Sequence, residues 1–94
     1  MKLTATNGNS RNGIEGQRVT VRLSTGQRFD KVLPAGNAIK RLKYRAELLD
    51  FVTAAAVLEG VETHKPKSHQ AAAMVQLFAA NKARMLIIHG RKSA

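Results

Sequence analysis

The run Gln17-Arg18-Val19-Thr20-Val21-Arg22-Leu23, then Ser24-Thr25-Gly26, then Gln27-Arg28-Phe29-Asp30-Lys31-Val32-Leu33 carries the strongest local signal in this chain. Val19, Val21 and Leu23 alternate with Arg18, Thr20 and Arg22, the two-residue period of a strand with one buried face. Ser24-Thr25-Gly26 is a three-residue connection ending in Gly, which tolerates the left-handed position that such hairpin loops need. The spacing therefore predicts a β-hairpin with Arg18 and Arg22 on its outer face and Arg28 joining them from the second strand. Lys31 falls in phase with Phe29, so the second strand is expected either to carry a bulge or to end early.

Pro34-Ala35-Gly36 breaks the hairpin, and Asn37 suits the N-cap of a helix. From 38 to 59 the pattern is helical. Ile39, Leu42, Ala46, Leu49, Val52 and Ala56 form one stripe, and Leu48, Phe51, Ala55 and Leu58 form a second in the later half. Gly60 reads as the residue just past the helix end. Ser68 reads as the cap of a second helix reaching about 81 or 82, with Ala71, Met74, Val75 and Phe78 on its apolar side. Arg84-Met85-Leu86-Ile87-Ile88-His89 fits a buried strand pairing with the hairpin; the alternative is one helix continuing to Ile88. The fold class expected is a small α+β domain of order β-β-α-α-β. Residues 1–16 form a mobile arm of turn-forming Asn, Gly and Ser, 17–90 the compact domain, and 91–94 a basic tail.

Charge narrows the functional classes. Sixteen Lys and Arg against six Asp and Glu give +10. Residues 1–45 hold ten basic and two acidic groups, 46–62 none and four, and 63–94 six and none, so two basic blocks flank an acidic, apolar stretch. Self-repulsion of this size adds nothing to folding, and its usual counterpart is a polyanion, most often nucleic acid. Duplex DNA is favoured and RNA is possible. Aromatic residues are too few for base-stacking recognition of single strands, and Tyr44 alone sits among basic residues.

Phosphate contact is expected first from Lys40, Arg41, Lys43 and Arg45, which open the first helix. Cations there oppose the macrodipole, and a docked phosphate would relieve that. Lys65 and Lys67 form a second group in the loop before a capped helix start. Arg18, Arg22 and Arg28 form a third group, on a ribbon of the kind that enters a major groove. The arm with Lys2 and Arg11 and the tail with Arg91 and Lys92 are further contacts open to a duplex. The same cations also suit an ordinary solvated surface, and Arg on an edge hairpin guards against aggregation.

Catalysis is not expected. Of the three histidines, His64, His69 and His89, only His64 has a carboxylate within four residues, Glu62, and there is no cysteine. Neither a metal site nor a cofactor is expected. Ser68-His69 reads as a cap and its follower, and no phosphate-binding Gly-rich loop is present. No apolar run is read as approaching the roughly 20 residues of a membrane span, so no membrane partner is expected. The lack of cysteine agrees with a cytoplasmic location. A DNA-binding regulator or a plasmid or phage accessory factor fits these features. The rival is a small interaction module or inhibitor docking on an acidic protein surface. The doubly apolar half-helix raises a homodimer through Leu48, Phe51, Ala55 and Leu58, unless the second helix covers that face.

Overall fold

The computed structural model describes residues 1–9, 15–36 and 38–92. Three antiparallel strands, β1 (Lys2–Asn9), β2 (Glu15–Arg22) and β3 (Arg28–Leu33), lie in the order β1-β2-β3. Two 3-10 turns, Ala38–Lys40 and Leu42–Tyr44, lead into helix α1 (Arg45–His64), and α2 (His69–Lys92) returns beside it. The chain is thus α+β, with order β-β-β-α-α.

The hairpin forms as its sequence predicts. Leu23 N–H donates to Gln27 O and Gly26 N–H to Leu23 O, and Gly26 has φ +98°, where a side chain would be strained. The strand after the turn has no bulge: Val19 faces Lys31, Val21 faces Phe29 and Gln17 faces Leu33 in unbroken register. Lys31 keeps its inward phase because its ammonium reaches Glu47 on α1 at 2.9 Å.

The N-terminal residues are a strand, which corrects the mobile arm expected over 1–16. Leu3 pairs with Val21 and Ala5 with Val19, so β1 extends the hairpin's inner face while Lys2, Thr4 and Thr6 extend its outer one. Backbone pairing to a ready-formed neighbour supplies what weak side chains do not. Arg11 and the rest of the 10–14 connection lie outside the described residues, as do the Asn37 cap and residues 93–94.

The C-terminal strand is likewise corrected. Arg84–His89 is helical, the continuation that stood as the alternative. Val75, Ala79, Ala83 and Ile87, four apart, bury one face of α2, and that regular ladder outweighs the local β-preference of Ile87-Ile88. The first helix starts later and ends later than its pattern suggests. Ala38 and Ile39 are buried, and Ile39 N–H donates to the buried Gln17 Oε1 at 2.7 Å. Held on the sheet there, the chain extends at Arg41 (φ −90°, ψ 128°) before α1 begins. Gly60 lies inside α1, and Lys65 closes it in the left-handed conformation, φ 47°. A Cβ on Gly60 would stand 2.6 Å from Val75 Cγ1, so this glycine lets the two helices approach closely.

From Leu48 onward both stripes find cover within the chain, whereas Leu42, 70% exposed, and Ala46 at the start of the first stripe stay open. Leu48, Val52 and Ala55 join Val19, Val21, Leu23, Leu33, Ala83 and Ile87 in one core, with Phe29, Leu49, Phe51 and Leu58 packed at its margin. Glu59 fastens the edge of that core. Its Oε1 accepts from Ser24 N–H (2.8 Å) and Ser24 Oγ–H (2.7 Å) and lies 3.3 Å from the Met1 amine. Lys82 Nζ donates to Oε2 at 3.1 Å. One carboxylate thus ties β1, the hairpin turn, α1 and α2 together. Burial acts to raise its pKa, but the bonds from Ser24, Lys82 and the amine outweigh it and hold the value down at about 2, from an ordinary 4.5.

Candidate nucleic-acid interface

The inner face of the sheet is covered by the helices, and the outer face is open. Because strand side chains alternate, Arg18, Thr20 and Arg22 point away from the core that holds Val19, Val21 and Leu23. Pairing carries that alternation across the sheet in three rows. Lys2, Arg22 and Arg28 stand side by side, then Thr4, Thr20 and Asp30, then Thr6, Arg18 and Val32. Lys2, Arg18, Arg22 and Arg28 are all exposed. Neighbouring strands are about 4.8 Å apart, so the first row sets three cations across roughly 10 Å, and Arg18 lies about 14 Å along β2 from Arg22.

Like charges directly opposite one another destabilise a sheet. Asp30 is the one carboxylate in these rows. It lies 3.5 Å from Arg28 and accepts from the Thr20 hydroxyl, and its side chain is about one-third exposed. Lys2, Arg18 and Arg22 have no ion pair among the described residues. The sequence identifies Arg18, Arg22 and Arg28 but places Lys2 on a loose arm. Its signal was the alternation of Lys2, Thr4 and Thr6 with Leu3 and Ala5, which contains only one large apolar residue.

The other predicted groups are exposed but differently placed. Lys40 and Lys43 ride on the two 3-10 turns and Arg41 is the extended residue between them, so none of the three is in the first turn of α1. The first turn of α1 instead holds Glu47, which suits the dipole, so the electrostatic strain expected of Lys40 and Arg41 is not present. Tyr44 is half-buried against the core with Lys43 Nζ 5.8 Å from its ring centroid. Arg45 and Arg84 flank a shallow groove of about 100 Å³ floored by Leu49, Ile87 and Ile88. Arg84 was not singled out from sequence because it was read into a strand. Lys65 and Lys67 sit in the link between the helices, where His64 and Lys65 complement the carbonyl end of α1. Ser68 does cap α2, its Oγ accepting from Ala71 N–H at 3.1 Å.

Two hollows adjoin the core. A cleft of about 450 Å³ is lined by Ser24, Glu59, Thr63, His64, Phe78 and Lys82 among others. It brings together a histidine and a carboxylate, His64 and Glu59, that stand five residues apart on α1. A carboxylate held at about 2 is a weak proton acceptor near neutrality, so Glu59 is suited to fastening and not to general-base work. The second hollow, about 210 Å³, lies between Phe29, Phe51, Ala54, Ala55 and Leu58. Of the four residues considered for a dimer, Leu48 and Ala55 are inside the fold, and Phe51 and Leu58 are half-buried beside Phe29. Among the described residues, no three of His, Asp and Glu stand close enough together to hold a metal ion. Comparison with protein-family models, curated proteins and solved structures finds no match to this chain.

Proposed function

We propose that this protein is a non-enzymatic nucleic-acid-binding module whose main contact is the open face of the sheet, with duplex DNA as the favoured ligand. The observation that carries this reading is the row Lys2–Arg22–Arg28 with Arg18 behind it: four cations and one carboxylate on a face the fold leaves uncovered. Packed on one side by helices, the sheet is rigid, so its cations are presented at fixed spacing. A major groove about 12 Å wide accepts a ribbon or narrow sheet. The threonines between the cations supply hydroxyls for phosphate or base edges. Lys40, Arg41, Lys43, Arg45, Lys65 and Lys67 add to the positive field of the molecule, which raises the association rate and affinity without reading sequence.

The test is anisotropy of fluorescent duplex DNA, single-stranded DNA and RNA titrated with protein at several salt concentrations. Submicromolar duplex binding, with log K falling steeply against log salt, is expected, and the slope counts the phosphates contacted. Preference for RNA would replace the duplex assignment. No binding at low salt would sink the proposal and turn the search to acidic protein surfaces.

A further inference from the structure

Helix α2 is apolar on two opposite sides. Within His69–His89 an 18-residue window has a mean hydropathy of 1.3, so the helix is long and apolar enough by composition to cross a bilayer, yet only 22% of that window is buried. Val75, Ala79, Ala83 and Ile87 face inward. At 100° per residue, Met74, Leu77, Phe78, Asn81, Met85 and Ile88 fall within about 100° of arc on the far side. The large ones are well exposed: Met74 48%, Leu77 60%, Phe78 63%, Met85 53% and Ile88 36%. Met74, Phe78, Asn81, Met85 and Ile88 follow one another at intervals of four, three, four and three, the repeat of a seam that packs against a single partner helix.

We propose that this stripe is a self-association surface, on which two copies of the chain pack α2 against α2 in antiparallel fashion about a two-fold axis beside Asn81. The stripe is self-complementary about that residue. Met74 and Ile88 stand seven positions to either side, Leu77 and Met85 four, and Phe78 and Arg84 three. An antiparallel copy therefore brings Met74 to Ile88 of the second copy, Leu77 to its Met85 and Phe78 to its Arg84. The last pair sets a guanidinium on an aromatic ring, an attraction in its own right. A parallel copy would instead hold each Arg84 level with its mate. Lys82, at the edge of the stripe, is already held by Glu59.

Asn81 selects a helix over other covers. Its amide, central in an apolar stripe, finds a donor and an acceptor in the amide of its mate; a bilayer interior offers neither. Interfaces of this kind are isologous, each contact occurring twice. The stripe lies on the side of α2 opposite Ala83 and Ile87, so pairing leaves both open sheet faces free. A single helix pair covers less than the roughly 800 Å² per partner of a standard interface, so micromolar association is expected. The inference does not rest on nucleic-acid binding.

The test uses the full chain, nuclease-treated and in high salt so that bound nucleic acid cannot bridge copies. Sedimentation from about 5 to 500 μM should show mass rising toward twice the 10.2 kDa of one chain. Phe78→Lys should stay monomeric at the same thermal midpoint, since Phe78 is mostly exposed. Because the chain has no cysteine, single cysteines report the register. Asn81→Cys should oxidise rapidly to a covalent dimer, Met74→Cys should not, and Met74→Cys with Ile88→Cys should. Monomer throughout, or a dimer that survives Phe78→Lys, overturns the surface. Self-crosslinking of Met74→Cys as fast as Asn81→Cys overturns the antiparallel arrangement. Monomer that binds anionic vesicles through Phe78 assigns the stripe to a lipid surface and overturns the proposal as well.

Discussion

At the Ser24 turn, Lys82 and the Met1 amine converge on a buried carboxylate, while on the other side of the same strands Lys2 and Arg22 stand in one row with Arg28 and have no carboxylate of their own among the described residues. The first arrangement joins four elements of the fold through one carboxylate shared by two cations. The second sets like charges beside one another and joins nothing. With only six carboxylates for sixteen Lys and Arg, where the acids sit separates the cations that hold the structure from those the proposed function assigns to a partner. Glu59 and Glu47 each serve a packed corner or a strand-to-helix contact. Among the carboxylates described, Asp30 faces the open sheet, and its ion pair there is with Arg28.

Reversing charge on the open face should produce the largest effect and leave the fold intact. Arg18→Glu with Arg22→Glu is expected to weaken duplex binding at about 0.1 M salt by 100-fold or more, and to lower the salt slope by about two or more. Its thermal midpoint should stay within a few degrees of the parent, because both side chains point into solvent. Retained affinity and slope would show that the ligand binds elsewhere, most directly at Lys40 to Arg45.

Glu59→Gln reverses the pattern. It leaves Lys82 and the Met1 amine beside a neutral amide, and it should cost about 1–3 kcal/mol after allowance for the solvent reaching Lys82, lowering the midpoint by about 5–15 °C. Duplex binding by the folded variant should be unchanged. The pH dependence follows from the sign of the shift. The folded pKa lies near 2, below the ordinary 4.5, so the stabilisation is present in full above about pH 4.5 and is lost as pH falls toward 2. Acid titration of stability should therefore be shallower in the Gln variant. Parallel curves would mean that the carboxylate is not the fastener.

These contrasts also explain what the sequence made legible. The hairpin was readable because Val19, Val21 and Leu23 are large enough to announce a buried face. β1 was not, because Ala5 and Thr6 say little until a neighbouring strand offers its backbone. The α2 ladder of Val75, Ala79, Ala83 and Ile87 was present in the sequence, but Ile87-Ile88 read locally as strand, which left the continuous helix as the alternative. Cations could be counted from sequence, and the outward phase of Arg18 and Arg22 was correct. Which cations share a row depends on strand register, and which meet a carboxylate depends on contacts such as Glu59 with Lys82, far apart in the chain. Neither is local information.

Gly60→Ala tests the tightness of the structural corner without touching its charge. In an exposed helix the change would gain roughly 1 kcal/mol of helix propensity. Here the new methyl meets Val75 Cγ1 at 2.6 Å, and a buried β-branched side chain has little room to turn. A net loss of about 1–2 kcal/mol is expected. Val75→Ala in the same chain should recover part of it, giving a favourable coupling in a double-mutant cycle. Additive losses would place the strain elsewhere.

The smallest effect, and the one that separates the two kinds of cation within a single residue, is Lys65→Gly. Lys65 closes α1 at φ 47°, ψ 61°, with its N–H donating to Val61 O at 2.9 Å. Glycine adopts that conformation without the Cβ penalty of about 1 kcal/mol, though it loses more entropy on folding, so the net gain is some tenths of a kcal/mol. The midpoint should rise by about 2–4 °C. If Lys65 belongs to the field around the sheet, duplex affinity falls two- to fivefold and the salt slope drops by about one, as for a single phosphate contact. Stability and binding would then move in opposite directions at one position, which a purely structural lysine does not do. A rise in stability with unchanged affinity would assign Lys65 to the helix end alone and confine the interface to the sheet.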